Sequence, residues 1–197
     1  MSSAKAAPTI RMADPEHDAR AVAAIYAEAV QHTLASFEEI PPHRAAMAER
    51  MAQTLVHTPW LVAELDGAVV GYAYAGPHHL RPGYRWSVNL SAYVAEGHRG
   101  HGVGRRLYLP LLDLLRRQGM VNAYAGVTLP NPASERLHES IGMRRFAVYR
   151  RVGYKFGAWR DVAWYQMRLA EPQGPPAEPI PLPKLDIGPM DSATPSA

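Results

Sequence analysis

The sequence predicts a mixed α/β fold, a central sheet carrying helices on both faces, and three observations point to it. Strand-like apolar runs and stretches with helical spacing follow one another in the order βααββ and then βαβαββ. Two of the runs flank Asp66-Gly67, a dipeptide suited to a two-residue hairpin turn. Leu90 to Arg106 reads as a strand, a basic glycine-rich turn and the first turn of a helix.

Taken in order, Thr9–Met12 is a short strand, and Asp14-Pro15 opens a helix carrying Val22, Ile25, Tyr26, Ala29 and Val30 at helical spacing. A second helix follows Pro41-Pro42, with Met47, Met51 and Leu55 on one face. Residues 60–65 and 68–74 form the hairpin, and Trp86 to Val94 is a longer central strand. The helix after Gly104 bears Leu107, Leu111, Leu114 and Leu115, stops near Gly119, and should bend at Pro110, whose ring removes an N–H. Val121–Val127, a helix over Pro132–Ile141, and strands over 145–152 and 161–169 complete the fold.

The chain has 197 residues, 47% of them hydrophobic, enough for one domain with a real core. We expect a flexible N-terminus over residues 1–8, a domain over 9–170 and a proline-rich tail over 171–197 that cannot form a core and is extended or disordered. A packed or loose arm suits that tail better than an SH3-type ligand. No apolar run approaches the ~20 residues that span a bilayer, so no membrane role is expected. The absence of cysteine and of an apolar leader suits a reducing cytoplasm. The net charge is +3, with arginines clustered at 99–106 and 144–151; that fits local anion recognition rather than a nucleic-acid footprint.

The turn holds Gly97, Gly100, Gly102 and Gly104 beside Arg99, Arg105 and Arg106. A helix N-terminus there offers unpaired N–H groups and a favourable dipole, and glycines let a diphosphate come close to the main chain. It lacks the Gly-Lys-Ser/Thr ending of nucleoside-triphosphate loops, and its Gly100-x-Gly102-x-Gly104 is one residue short of the dinucleotide fingerprint. Arg99-x-x-Gly102-x-Gly104 after an apolar strand resembles the pyrophosphate arm of the GCN5-related N-acetyltransferases (GNAT). The phosphinothricin N-acetyltransferase-like branch is resembled further in Ser36-Phe37 before Glu39-Ile-Pro, Trp60-Leu-Val-Ala-Glu64, Ala73-Tyr-Ala-Gly-Pro77 and Tyr84-x-Trp86. The same holds for Leu129-Pro-Asn-Pro-Ala-Ser134, Leu137-His-Glu139, Gly153 to Val162, and Trp164.

That resemblance implies a GNAT fold, with its sheet splayed where acetyl-CoA enters, and often a homodimer. It implies transfer of acetyl from acetyl-CoA, with no metal, to the α-amine of a small amino-acid-like acceptor such as phosphinothricin, methionine sulfone or methionine sulfoximine. Tyr93, Val94, Arg99, Gly100, His101, Gly102, Val103, Gly104, Arg105 and Asn131 fall at acetyl-CoA positions. Phe37, His79, Arg81, Tyr84 and Trp164 fall where relatives line the acceptor pocket, and the Val94 N–H falls where an oxyanion is held.

The chain departs from the pattern at its base. Relatives carry glutamate three residues after the strand Trp, where this chain has Asn89, an amide that orients a water or an amine but cannot take its proton. His138, whose unperturbed pKa suits the task, is the expected base. Met143 stands at the family's tyrosine, so no acid carries over from there, and Tyr93 is the alternative. Arg81 suits a substrate carboxylate, although a solvated surface arginine fits equally. His78-His79 and His98-x-x-His101 lack a third ligand at metal spacing. Acetylation of a protein terminus or another amine, and a non-catalytic acyl-CoA sensor, remain as other readings.

Overall fold

The computed structural model describes residues 7–188. Most of the expected flexible N-terminus and the last residues of the tail lie outside the described residues. The strands are β1 (Thr9–Met12), β2 (Trp60–Leu65), β3 (Ala68–Pro77), β4 (Ser87–Val94), β5 (Asn122–Thr128), β6 (Arg144–Lys155) and β7 (Ala158–Arg168). The helices are α1 (Pro15–His32), α2 (Arg44–Leu55), α3 (Val103–Arg117) and α4 (Pro132–Ser140). One seven-stranded sheet runs in the order β1-β2-β3-β4-β5-β7-β6.

Local chemistry explains the elements. Asp14 caps α1 by accepting from the N–H groups of Glu16 and His17 (2.8 and 3.3 Å), with Pro15 in its first turn. Asp66 and Gly67, at φ 52° and 76°, take the left-handed conformations of a two-residue hairpin turn. On one sheet face α1 and α2 bury Val22, Val30, Met47 and Met51 against Trp60, Val62 and Tyr72. On the other, α3 buries Leu107, Leu111 and Leu115, each 0% exposed, against Leu61, Ala73 and Ala125. Pro110 lies inside α3 and does not end it, so the lost N–H is absorbed within a continuous helix.

The sheet is antiparallel except between β4 and β5, and that pairing is short. Only Ser87, Val88 and Asn89 pair with Asn122, Ala123 and Tyr124. Beyond Asn89, β4 stays on its ladder with β3 as far as Val94, while β5 stays on its ladder with β7 as far as Thr128. The two halves of the sheet therefore part, and a gap opens between Leu90–Val94 and Ala125–Thr128.

Two regions differ from the sequence expectation. The last two strands extend inward to a two-residue turn at Phe156-Gly157 (φ 50° and 72°), a pair that lacks the usual Asn or Asp signal. Within β6 the register shifts between Tyr149 and Gly153, where Arg151 takes φ 50° and its N–H donates to Asp161 Oδ1 at 2.8 Å. The described part of the tail is extended and docked on the domain, where Leu185 and Ile187 pack against the core. The fully buried Gln118 donates through Nε2 to the carbonyls of His57 and Ile180, both at 2.7 Å, and its main-chain carbonyl accepts from the Ile180 N–H. Trp86 Nε1 donates to the Ala177 carbonyl at 2.7 Å, and Arg117 reaches the carbonyls of Asp186 and Ile187. Leu182, 5% exposed, is buried by this strap.

Leu182→Ala should lower the unfolding free energy by about 2 kcal/mol, at the low end for a truncated buried leucine. Urea denaturation measures it, and an unchanged midpoint would mean that the strap adds nothing to the core.

Candidate functional site

The turn after β4 is built from backbone first. Gly100 and Gly102 have φ of 76° and 77°, in the left-handed region where any Cβ is strained, with open space beside both. Gly102 caps α3 without a side-chain bond, so the N–H groups of Val103, Gly104 and Arg105 face outward at the positive end of a 15-residue helix. Arg105 and Arg106 are exposed beside them. This concave row of amides is suited to an anion such as a diphosphate.

Two residues of the turn have other work. Arg99 donates through Nε to the Val94 carbonyl at 2.9 Å and pairs with Glu28 of α1, so it staples the turn to β4 rather than adding a free charge. A Cβ on Gly104 would stand 2.9 Å from Leu137 Cδ2, so this glycine lets α4 approach α3; the expectation that it clears room for a diphosphate is corrected. His101 is exposed, and its Nδ1 lies 2.8 Å from the Arg99 carbonyl.

The gap continues from this turn between the two halves of the sheet. Ala95 N–H donates to Val70 and Ser87 accepts from His78, so odd-numbered residues of β4 address β3. Even-numbered residues address β5, which has departed after Asn89, so the N–H groups of Ala92 and Val94 face the gap. A narrow cavity of about 60 Å³ there is lined by Ser91, Tyr93, Tyr108, Thr128, Asn131 and His138, among others. Asn131 caps α4 by accepting from Ser134 N–H at 3.1 Å, leaving its amide N–H groups for a ligand. Tyr93 packs into the aromatic core with Tyr26 and Tyr72, and burial holds its phenol well above the usual range, so it stays protonated.

His138 is 5% exposed on α4, on the α3 side of the sheet. Its Nδ1 donates to the Ser134 carbonyl at 2.7 Å, which leaves Nε2 to accept from the Tyr108 hydroxyl at 3.3 Å. Burial pushes its pKa below the ordinary value of 6.5. The imidazole is thus neutral and meets the gap through Tyr108.

The opposite sheet face carries a larger cavity of about 600 Å³, lined by Phe37, Gly126, Tyr149, Tyr154, Val162 and Trp164, among others. Phe37 lies on Gly153, where a Cβ would be 2.3 Å from its ring. Its loop is held by Lys155, 6% exposed, whose ammonium donates to the carbonyls of Val30 (2.7 Å), Ser36 and Glu38. Trp164 Nε1 is sealed from solvent without a partner among the described residues, a free donor on a residue of the cavity wall. His79, Arg81 and Tyr84 line a separate cavity beside the strap residues Glu178–Pro181. His78 stands between the two groups, with ring centroids 6.2 Å from Trp164 and 6.0 Å from Tyr84. Its Nδ1 is 2.9 Å from Asn89 Oδ1, a contact with no signal in the sequence beyond the two residue types. Among the described residues no three His, Asp or Glu side chains converge as a metal site.

Residues 23–143 match the acetyltransferase (GNAT) family model. The chain is 40% identical over 172 residues to an L-methionine sulfoximine/L-methionine sulfone acetyltransferase of Salmonella typhimurium, covering 86% of this chain and 99% of that one. It is 39% identical to a phosphinothricin N-acetyltransferase of Alcaligenes faecalis, over 84% of this chain and 85% of the other. Among solved structures, a phosphinothricin acetyltransferase from Sinorhizobium meliloti in complex with acetyl-CoA superposes with a TM-score of 0.83 at 34% identity, over 88% of this chain and 95% of that one. A putative acetyltransferase from Salmonella typhimurium with acetyl-CoA gives 0.81 at 39%, over 87% and 99%.

Gly104→Val should destabilise the protein by about 1–3 kcal/mol through overpacking, and Leu137→Ala in the same chain should recover part of that loss. Thermal melts of the single and double variants test it; simple addition of the two losses would refute the contact. A second expectation follows from the depressed pKa of His138. Below about pH 6.5 the unfolded chain binds a proton there that the folded chain refuses, so stability falls as pH drops from 7.5 to 5.5. His138→Gln should flatten that slope, and an identical slope in both proteins would contradict it.

Proposed function

Because this chain belongs to the acetyltransferase (GNAT) family, we propose that it moves the acetyl group of acetyl-CoA onto the α-amine of a small amino-acid-like acceptor, of the phosphinothricin, methionine sulfone or methionine sulfoximine kind. The enzyme is an acetyl-CoA-dependent N-acetyltransferase; a sensor without turnover or an acetyltransferase for protein termini is not favoured. The observation that carries the reading is the parted sheet. β4 loses its partner after Asn89, and the gap so opened runs to the amide row at Gly102–Arg105.

In this reading the amides of 102–105 hold the diphosphate, and Asn131 steadies the arm between diphosphate and thioester. The Val94 N–H meets the charge that develops on the thioester oxygen. Anchoring the diphosphate far from the reacting carbon fixes the thioester in the gap. Tyr108 is the residue beside the reacting atoms, and His138 acts through it. As nitrogen attacks, an N–H proton passes to the Tyr108 oxygen while the Tyr108 proton passes to His138 Nε2. The reverse transfer then protonates the departing sulfur. Phe37 and Trp164 wall the acceptor, and the loop carrying His79, Arg81 and Tyr84 supplies a guanidinium for its carboxylate.

A homodimer completes the proposal. Phe146, Tyr149, Val152, Tyr154, Phe156 and Trp159 on the β6–β7 hairpin are each 52–57% exposed, an apolar surface that a second copy would cover. Tyr149 and Tyr154 also line the acceptor cavity, so the partner would help to close it. The absence of cysteine fits a cytoplasmic setting.

Thiol release from acetyl-CoA with a panel of amino acids, methionine sulfone and methionine sulfoximine tests the activity. Turnover on at least one is expected, and release on none would overturn the reading. Tyr108→Phe and His138→Gln should each lower kcat by about 100-fold with unchanged acetyl-CoA affinity, as removal of a proton-transfer group does. Gly102→Val should abolish acetyl-CoA binding, measured by calorimetry, because φ of 77° is closed to a β-branched residue. Sedimentation equilibrium should give twice the chain mass; a monomer at all concentrations would remove the dimer.

A further inference from the structure

An ammonium nitrogen must lose two protons on its way to an amide. The Tyr108–His138 pair lies across the sheet from the acceptor cavity and suits the later one, next to the sulfur. Asn89 stands where relatives carry the expected base and has no proton affinity of its own. Its Oδ1, however, is 2.9 Å from His78 Nδ1. An amide oxygen only accepts, so Nδ1 carries the hydrogen and Nε2 carries the lone pair.

The position of that imidazole fits the first proton. Asn89 and Tyr124 are the last paired residues before the sheet parts, and His78 stacks on Tyr124 with ring centroids 4.3 Å apart. Its edge contact to Trp164 puts it beside a wall of the acceptor cavity. His78 is half-buried, and its Nε2 has no protein partner among the described residues. His138, by contrast, has both ring nitrogens engaged. Around His78 stand Asn89 of β4, Tyr124 of β5, Trp164 of β7, and His79 and Tyr84 of the following loop. None of these is a carboxylate or a guanidinium, so no charged group of the protein competes with an incoming ammonium for Nε2.

We propose that His78 is a catalytic base of this enzyme, held in its tautomer by Asn89 as a positioning residue, and that it takes the first proton from the acceptor's ammonium group. The N–H bond breaks toward Nε2, the electron pair stays on the nitrogen that attacks the thioester, and the imidazolium returns its proton to water. The proposal rests on the acetyl-transfer reading above.

The test is the pH profile of kcat/KM for an acceptor that the wild-type protein acetylates. His78→Phe keeps the ring stacked on Tyr124; it should leave acetyl-CoA affinity unchanged and lower kcat/KM by about 100-fold at pH 7. The deficit should shrink as pH rises past the pKa of the amine, where the free amine is already present and no base is needed. Asn89→Asp, which also only accepts from Nδ1, should retain activity and move the lower inflection of the profile upward, because a carboxylate raises the proton affinity of the imidazole. A His78→Phe rate equal to wild type, or a deficit that is the same at every pH, would overturn the proposal while the acetyl-transfer reading stands. Absence of wild-type turnover on every amine would remove both.

Discussion

Three register pairs between β4 and β5, and no more, set the form of the functional region. Each strand is bound along its full length to its other neighbour, so neither is free to follow the other once their paths diverge. Main-chain N–H groups that a continuous sheet would consume are left facing a gap. Buried backbone donors demand partners, and a site with unspent donors in a dry crevice is prepared for a polar ligand before any side chain is considered. The donors left facing the gap belong to the main chain of residues 92 and 94 and do not depend on which side chains stand there, provided that both remain strand.

Around the gap, strong local ties fix the walls. Arg99 joins the phosphate turn to α1 through Glu28 and to β4 through the Val94 carbonyl. Arg11 does the same lower in the sheet: it meets Asp18 at 2.7 Å and Glu64 at 2.8 Å, so the nearly buried Asp18 carboxylate is ionised against a desolvation that would otherwise raise its pKa. Gln118 and the docked strap close the far corner. Arg99 with Glu28, Arg11 with Glu64, and Gln118 with His57 and Ile180 each join segments more than 50 residues apart, so the walls of the gap are held by separate elements.

Strands, helices and the phosphate turn were legible because each depends on near neighbours: periodicity, Asp66-Gly67, Asp14-Pro15 and the glycines of residues 97–104. The strap was not, because a proline-rich composition argues against a core of its own and is silent on docking to somebody else's; Leu182 is buried where its N–H donates to the His57 carbonyl, 125 residues earlier in the chain. The role of Gly104 was hidden for the same reason, since Leu137 reaches it only after α4 folds back. Phe37 and Trp164 share one cavity and His79, Arg81 and Tyr84 line another, with His78 between them, a division that residue spacing does not show. Asn89 was visible as a departure, but its partner was not, because the pairing of His78 with Asn89 follows from a hairpin register rather than from spacing.

Lys155 grips the loop over the acceptor cavity by three carbonyl oxygens and by no side chain. Such a clasp recognises the path of the polypeptide and ignores what hangs from it. The side chains of Ser36 and Glu38 are spent on Tyr26 and Arg50, so the clasp and these bonds together fix where the Phe37 ring lies on Gly153.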